Sequence, residues 1–434
     1  MRRVLVVCLS AALLVALAST LYAGGTQENR PAGKPRIVIY DYGHENEPVV
    51  VLYSKLVDQY NAKPDAKVFL DYQFIPGDAY YPKLNAAIAA NNPPDVFSSH
   101  AGGVLANYVS AGKVLALDDA FAKDPAWKNR FVAGAFDALS VGGKIYAIPT
   151  SQAVVPIFYN KDIFARLGLS VPQSYDDLKN VVSVLRKNGI VPFANGDKDV
   201  WVGAMMAEVI ANRIGGGHPY DAIAAGGGSW TDPSFVRAGQ IIQELVGLKA
   251  FPDDFLGVGY DAMIALFMGE KAAMCVNGTW DLGRFTAADS PIKDKVNVMN
   301  FPAISGGIGK GTDWLGNPDH NITISSSNKN VDACIDFLKV WASEVVQKNI
   351  GEEQGKIIVT KTVLDQSKVP AAASQLNNLL TNATGIFLFY DVGLGATIGQ
   401  EFNNAFQAIY AGNDVTTSLQ KLQKFTLDSR AGNK

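Results

Sequence analysis

The chain has 434 residues, of which 48% are hydrophobic, so it can bury a large core and is long enough for two lobes. Only 18% of the residues are charged and the formal net charge is −3, which argues against a nucleic-acid partner. The three cysteines and four histidines form no Cys-x-x-Cys, His-Glu-x-x-His or Cys/His cluster, so we expect no structural or catalytic metal.

Residues 1–23 have the three parts of a secretory signal peptide. Two arginines precede an apolar segment, Val4 to Ala18, which is too short to span a bilayer comfortably, and we expect cleavage near Ala23. An N-terminal membrane anchor is the alternative. Residues 24–35 are polar with glycine and proline, which predicts a flexible lead. The mature chain is therefore expected to be a soluble protein of the periplasm.

Strand and helix patterns alternate from Arg36 onward. Alternating apolar residues predict strands at Ile37–Tyr40, Val68–Phe74 and Asp95–Phe97, with helices at Val49–Tyr60 and Tyr80–Ala90 between them. This order is typical of a largely parallel sheet covered by helices.

The stretch from Lys144 to Leu178 packs several elements into a short passage. A strand that contains Ile145 and Ile148 ends at Pro149, a polar bend follows at 150–152, and a second strand runs from Val154 to Tyr159. Asn160 is placed to cap one helix, and Ser174 with Asp177 is placed to start another. We interpret the stretch as the passage from one lobe into the other, with residues 149–152 as hinge and cleft wall.

A helix-rich second unit follows. Asp232-Pro233 predicts the start of a helix over Phe235–Leu248, and Tyr260–Met268 reads as another. Val296–Phe301 is a candidate for the strand that returns the chain to the first lobe. Cys275 and Cys334 each lie in an apolar pattern and are expected to be small buried hydrophobic residues, while a disulfide between them stays open.

Two segments carry a resemblance to a known family. Lys144–Leu178 and Ala272–Leu282 (AAMCVNGTWDL) resemble the extracellular solute-binding proteins of ABC importers, specifically the large sugar-binding type related to maltose-binding protein. The resemblance implies the two-lobed periplasmic-binding-protein fold of the α/β class. Each lobe would be a mostly parallel sheet covered by helices, joined to the other by hinge-crossing strands. The expected lobes are 36–148 with 303–350, and 149–302 with 351–434.

The same resemblance indicates where a ligand would bind. Trp280 is a candidate for stacking on a sugar ring and Asp281 for binding its hydroxyls, although both could instead fill and cap the local turn. Trp201 and Trp314 are candidates as well, the latter on the glycine-rich segment Gly306–Asn317, which reads as a flexible loop. Core packing is the alternative for Trp201, and a simple surface loop with a tucked indole is the alternative for Trp314. The remaining candidates follow strand ends or lie in the polar bend: Glu45, Ser99, His100, Gln152, Tyr390 and Asp391. A capping role at the next helix is equally open for Glu45 and Glu47.

These features favour a binding protein over an enzyme. The resemblance implies a monomeric component that captures a carbohydrate between its lobes and delivers it to the permease subunits of an ABC transporter, without a cofactor. The alternative is a secreted carbohydrate-active hydrolase or lyase, for which the sequence shows no recognisable acid or nucleophile motif. A ligand sensor, or a polyamine in place of a sugar, also stays open.

Overall fold

The computed structural model describes residues 33–43 and 47–432. The expected signal peptide, most of the lead and Glu45 lie outside the described residues. Within the described ranges, none of the helices combines the length and the apolar character that crossing a membrane requires.

The first sheet is mostly parallel, as predicted. Strand β1 (Arg36–Gly43) pairs in parallel with β2 (Phe69–Pro76) and β3 (Val96–Ser98), and β12 (Ile322–Ile324) joins β3 in the antiparallel sense. Burial alternates along most of β1, because successive side chains point to opposite faces of the sheet. The carboxyl ends of the three parallel strands therefore meet at one edge.

The second sheet is mixed. Its order is β10 (Val296–Met299), β7 (Ile157–Asn160), β9 (Ala272–Val276) and β8 (Val191–Phe193), with only β8 and β9 parallel. The expectation of a mostly parallel sheet thus holds for the first sheet only. Strand β10 covers most of the segment Val296–Phe301, and it pairs with β7 and packs in the same core as the other strands of this sheet.

Two antiparallel strands connect the sheets. Strand β6 (Ser151–Val154) pairs with β11 (Asp313–Asp319), and β13 (Ile357–Ile358) and β14 (Gly385–Phe387) flank them. The predicted polar bend at 150–152 is therefore largely strand. Pro156, which has no N–H to donate, lies between β6 and β7 instead.

The crossing strands approach each other closely at one glycine. Gly316 of β11 stands opposite Val154, and a Cβ atom added there would lie 2.2 Å from the carbonyl oxygen of Ala153. Only glycine fits this position without moving the backbone. The chain then turns at His320, a residue with φ of 45°, and enters β12.

Each of the two large sheets has its own hydrophobic core. The first core joins the first sheet to the helices Pro48–Asn61 and Val331–Trp341, where Tyr53 stacks on Trp341 at 3.4 Å between ring centroids. The second core joins the second sheet to the helix Trp201–Gly215 and its neighbours. Cys334 lies in the first core and Cys275 in the second, both buried and free, as expected for small hydrophobic residues.

Side-chain caps begin several helices as the sequence predicts. Asn160 Oδ1 accepts hydrogen bonds from the next helix, Ser174 and Asp177 form a capping box, and Asp232 caps the helix that opens with Pro233. The remaining strands are β4 (Ser140–Val141) and β5 (Lys144–Ile145). The helices are Pro48–Asn61, Gly77–Ala89, Gly102–Ser110, Asp118–Lys123, Pro125–Lys128, Lys161–Arg166, Tyr175–Lys187, Trp201–Gly215, His218–Ala224, Pro233–Gly247, Tyr260–Met268, Leu282–Thr286, Val331–Trp341, Glu344–Lys348, Ala371–Leu380, Tyr390–Gly393, Gly395–Tyr410 and Val415–Gly432.

Candidate functional site

A cavity of about 320 Å³ lies between the two sheets, beside the crossing strand β11. Its first wall comes from residues that follow the carboxyl ends of β1, β2 and β3, which is where open α/β sheets place ligands. Its second wall comes from the helices Trp201–Gly215 and Gly395–Tyr410 and from the turn after β9. Asn317, Asp319 and His320 complete it at the crossing.

Aromatic rings cover much of the first wall. Tyr42 stacks on His320 with 5.4 Å between centroids and 7° between planes, and His100 meets the edge of Tyr42 at 4.8 Å. Tyr80 and Tyr81, on the helix that follows β2, extend this surface. Burial lowers the pKa of His100, so its ring is neutral near pH 7.

Two indoles and a phenyl ring form the aromatic part of the second wall. Trp280 lies 6.1 Å from Trp201 and 6.1 Å from Phe389 between centroids. Its indole N–H donates to the hydroxyl of Tyr260 at 2.6 Å, and this bond fixes the ring that faces the cavity. Tyr260 in turn donates to the carboxylate of Asp281. The hydrogen bonds from Trp280 to Tyr260 and from Tyr260 to Asp281 therefore fix the orientation of the aromatic surface.

A buried ion network closes the cavity at the crossing. His320 Nε2 lies 3.2 Å from Glu47 Oε1 and Nδ1 lies 3.4 Å from Asp41 Oδ1. The Lys356 ammonium donates to Glu47 at 3.1 Å and to Asp319 at 3.4 Å. The network thus joins the end of β1, the first helix, the crossing strand and the segment before β13.

The charges of this network compensate each other. Burial alone would lower the pKa of His320, but the carboxylates of Glu47, Asp319 and Asp41 outweigh it and hold the pKa well above its usual value. The same balance raises the pKa of Lys356. Glu47, Asp319 and His320 bring one possible metal-ligand atom each within 4.8 Å of one another, yet the Lys356 ammonium already lies against two of these groups.

The second wall carries acids of a different kind. Glu208 and Asn403 are each 1% exposed and line the cavity, and Glu208 Oε2 and Asn403 Oδ1 have no hydrogen-bond partner. Glu208 Oε1 accepts from the backbone N–H of Tyr390 at 3.1 Å, and Asn403 Nδ2 donates to Asp391 at 3.0 Å. Burial, followed by the charge of Asp391, raises the pKa of Glu208 well above its usual range.

Four of the candidates predicted from the sequence lie in the wall of this cavity: His100, Trp201, Trp280 and Asp391. They come from distant parts of the chain, and the fold brings them together. Glu45 lies outside the described residues.

The other candidates lie outside the cavity wall, and each has a structural role. Ser99 is buried and donates to the carbonyl of His100 at 2.9 Å. Gln152 is on β6, where its side chain donates to the neighbouring carbonyl of Ala153 at 3.0 Å. Tyr390 is buried and stacks on Tyr220 with 4.2 Å between centroids.

Asp281 and Trp314 differ most from expectation. Asp281 makes no capping bond to its own helix; its carboxylate accepts from Tyr260, from Asn277 at 2.7 Å and from Arg284 at 3.2 Å. The prediction of a flexible loop around Trp314 is wrong, because this residue lies on β11 and is only 2% exposed. Residues 306–312 before β11 do form turns and irregular backbone, whereas Gly316 lies on β11 and permits the close strand pairing.

Several residues of the wall were missed. Tyr80 and Tyr81 follow the carboxyl end of β2. Ligands bind beyond such strand ends in open α/β sheets, so these two residues are candidates for the same reason as His100. Glu47 occupies the capping position but makes no capping bond and joins the ion network. Glu208 stands alone as an acid in the apolar helix sequence WVGAMMAEVIANRIG, which was a usable signal.

The arrangement suits a ligand with both apolar and polar faces. Flat rings on both walls can pack against apolar C–H surface, while carboxylate and amide oxygens between them accept hydrogen bonds. The cavity volume is at the lower end of the range for small-molecule sites.

Comparisons with known proteins agree with this architecture. A family model for bacterial extracellular solute-binding proteins matches residues 48–348. An uncharacterized ABC transporter extracellular-binding protein of Pyrococcus horikoshii is 30% identical over 208 residues, which are 47% of this chain and 46% of that protein. The multiple sugar-binding protein of Streptococcus mutans is 21% identical over 374 residues, 82% of this chain and 83% of that protein. The match therefore covers less than half of the Pyrococcus relative.

Solved structures show the same fold over most of their length. A protein studied for xylan utilization by the thermophilic bacterium Caldanaerobius polysaccharolyticus has a TM-score of 0.85 at 29% identity, covering 90% of this chain and 99% of that one. A chitin oligosaccharide binding protein has a TM-score of 0.85 at 23% identity, covering 92% and 99%. These likenesses confirm the two-lobed α/β fold.

Proposed function

This chain belongs to the family of bacterial extracellular solute-binding proteins, and on that premise we propose that it captures a carbohydrate in the cavity between its lobes. The bound protein would present the carbohydrate to the permease subunits of an ABC transporter. No covalent chemistry and no cofactor enter this role.

The observation that carries the proposal is the combination of facing aromatic rings with unpaired acceptors in one cavity. Trp201 and Trp280 offer indole faces on one wall, and Tyr42 offers a phenol ring on the other. A pyranose has an apolar C–H face that packs on such rings and hydroxyls that donate to carboxylates. The relatives support the choice of ligand, since one is a multiple sugar-binding protein and another a melibiose/raffinose/stachyose-binding protein.

Export, cleavage near Ala23, a monomeric state and the periplasmic location belong to the same proposal. We also propose that the lobes meet at the crossing strands. The chain would then re-enter the first lobe at His320, whereas the boundary expected from the sequence is residue 303. Two contacts support a change of the expected boundaries. Ile308, expected in the first lobe, donates its backbone N–H to the carbonyl of Ile214 in the second lobe. Val359, expected in the second lobe, packs in the first core.

A thermal-shift screen across mono- and oligosaccharides tests the function. A ligand at 100 times its dissociation constant adds about 2.7 kcal/mol to the free energy of unfolding, so a true ligand raises the melting temperature measurably. If no sugar shifts the melting temperature, the proposal fails. Product formed during incubation with oligosaccharides would instead favour a hydrolase or lyase.

Substitutions at Trp280 then connect binding to this cavity. We expect Trp280→Ala to weaken the affinity for the sugar found in the screen by about tenfold or more, because the stacking surface is lost. Trp280→Phe keeps an aromatic face and loses only the N–H bond to Tyr260, so it serves as the matched control and should retain more affinity. Isothermal titration calorimetry measures both, and equal affinity in wild type and Trp280→Ala would place the ligand elsewhere.

A further inference from the structure

The acids of the cavity fall into two groups that differ in their partners. Glu47 and Asp319 pair with His320 and Lys356 on the side of the crossing strands. On the second wall, neither Glu208 nor Asp391 makes an ion pair with any described residue. The set of residues that the structure places around the cavity contains no lysine or arginine.

The second wall also presents acceptors in excess of donors. The side-chain nitrogens of Asn403, Gln400 and Trp280 donate to protein oxygens, whereas Glu208 Oε2 and Asn403 Oδ1 are buried and unpartnered. Glu208 and Asn403 lie on two helices that pack together, and both bond to the segment Tyr390–Asp391. Their free oxygens therefore belong to one corner of the cavity.

A donor-only group fits this corner better than a hydroxyl. A sugar hydroxyl offers one donor and needs donors itself, while an ammonium offers three N–H donors and no acceptor. An ammonium would also give Glu208 and Asp391 a positively charged partner, which neither has among the described residues. We propose that the ligand is a carbohydrate with a free amino group, bound as an ammonium between Glu208, Asp391 and Asn403; this rests on the proposed function.

The protonation of Glu208 couples to such binding. Burial and the neighbouring Asp391 raise the pKa of Glu208, which favours the protonated carboxyl group in the empty site. The other titratable groups around the two acids are Tyr390 and Tyr220, with Asp221 nearby, and the imidazole of His100, which feels the charge of Asp391 and whose pKa burial lowers. The His320 imidazole lines the same cavity, and Glu47, Asp319 and Asp41 hold its pKa high. When an ammonium enters, the Glu208 carboxyl releases its proton to the buffer and the ammonium keeps its own. Binding at a pH below the raised pKa of Glu208 is then accompanied by proton release.

Calorimetry with matched sugars tests the inference. The probes are the amino, N-acetylamino and hydroxyl members of the gluco and galacto series, as monosaccharides and as β-1,4 oligomers. We expect the amino member to bind about tenfold to a hundredfold more tightly than its neutral counterparts. Titrations in buffers of different ionisation enthalpy should show proton release for the amino sugar and none for the neutral ones.

Variants locate the effect. Glu208→Gln keeps an acceptor for the Tyr390 N–H but cannot ionise, so the amino sugar should lose about tenfold more affinity than its neutral counterpart, and proton release should disappear. Asp197→Asn is the control: Asp197 is also buried with a raised pKa and an unpartnered oxygen, but it lies outside the cavity wall. If Glu208→Gln fails to fold, Asp391→Asn tests the same preference.

The outcomes separate this inference from the function on which it rests. If neutral sugars bind as tightly as amino sugars, or tighter, the inference is overturned while carbohydrate capture stands. If no sugar binds, both fall. Binding of spermidine without any sugar would also overturn both, because the ligand would then be a polyamine.

Discussion

His320 is the residue on which the ion network at the crossing depends. It lies between Asp41 and Glu47, and its left-handed backbone conformation places the ring there at the turn from β11 into β12. Such a conformation in a residue other than glycine costs free energy and persists only where the surroundings enforce it. Here the imidazolium gains charged partners on both ring nitrogens.

The stability of the protein should therefore fall as the pH rises past neutrality. The pKa of His320 is raised in the folded state, so its contribution is complete below the unfolded pKa, about 6.5, and is lost as the pH rises through the folded value. We expect the free energy of unfolding of wild type to fall relative to His320→Gln by up to about 1.4 kcal/mol per pH unit over this range. Urea unfolding from pH 6 to 9 measures the difference, and parallel curves for the two proteins would contradict it.

Single residues differ in how far the sequence reveals them. His100 and Asp391 could be predicted as candidates because each follows a strand-like run, and Trp201 and Trp280 because of the family resemblance; all four lie in the cavity wall. The partnership of Glu47 with Lys356 could not, since 309 positions separate them in the sequence. A local sequence pattern around Glu47 cannot show that Lys356 pairs with its carboxylate in the folded chain.

At the scale of elements, most boundaries follow from local chemistry. Caps and periodicity predict the helix Tyr260–Met268 to the residue, and the capping box predicts the start of the helix Tyr175–Lys187. The main error concerns β11, where Gly316 and Pro318 resemble loop signals. In β11, Gly316 satisfies a close strand contact that only the folded pair creates.

Gly316→Ala should accordingly destabilise the crossing strands. The added methyl group would collide with the carbonyl of Ala153, so we expect the free energy of unfolding to fall by about 1 to 3 kcal/mol. Gly311→Ala is the matched control, because a Cβ atom there meets nothing within 4 Å and the change should be neutral or slightly stabilising. Urea unfolding compares the two variants, and equal stabilities would refute the close-contact explanation.

At the scale of the whole molecule, the candidate cavity takes one wall from each lobe and is bounded by β11 at the crossing. The connecting strands β6 and β11 are short, so a small change in their backbone angles suffices to rotate one lobe against the other. Rings on both walls can contact one ligand simultaneously only when the walls approach it. We therefore expect the lobes to close over a ligand by a hinge motion at these strands.

Ligand binding should make the protein more compact. Small-angle X-ray scattering of the free protein should give a radius of gyration of about 21 to 22 Å or more, since that is the value for a compact chain of this length. A saturating sugar is expected to reduce it, and the same sugar concentration should have less effect on Trp280→Ala. An unchanged radius at saturation would argue that the lobes do not move.

The pairing of β12 with β3 has a consequence for how the chain acquires its fold. Thr323 donates to the carbonyl of Phe97, 226 positions earlier in a chain of 434 residues. The first sheet cannot gain its last strand until residues 322–324 have been synthesised, after all of the strands from β4 to β11. Contacts of such long range slow folding because the entropy of closing the loop is lost before any contact forms. We therefore expect the first sheet to be completed late in synthesis, after most of the chain has been made.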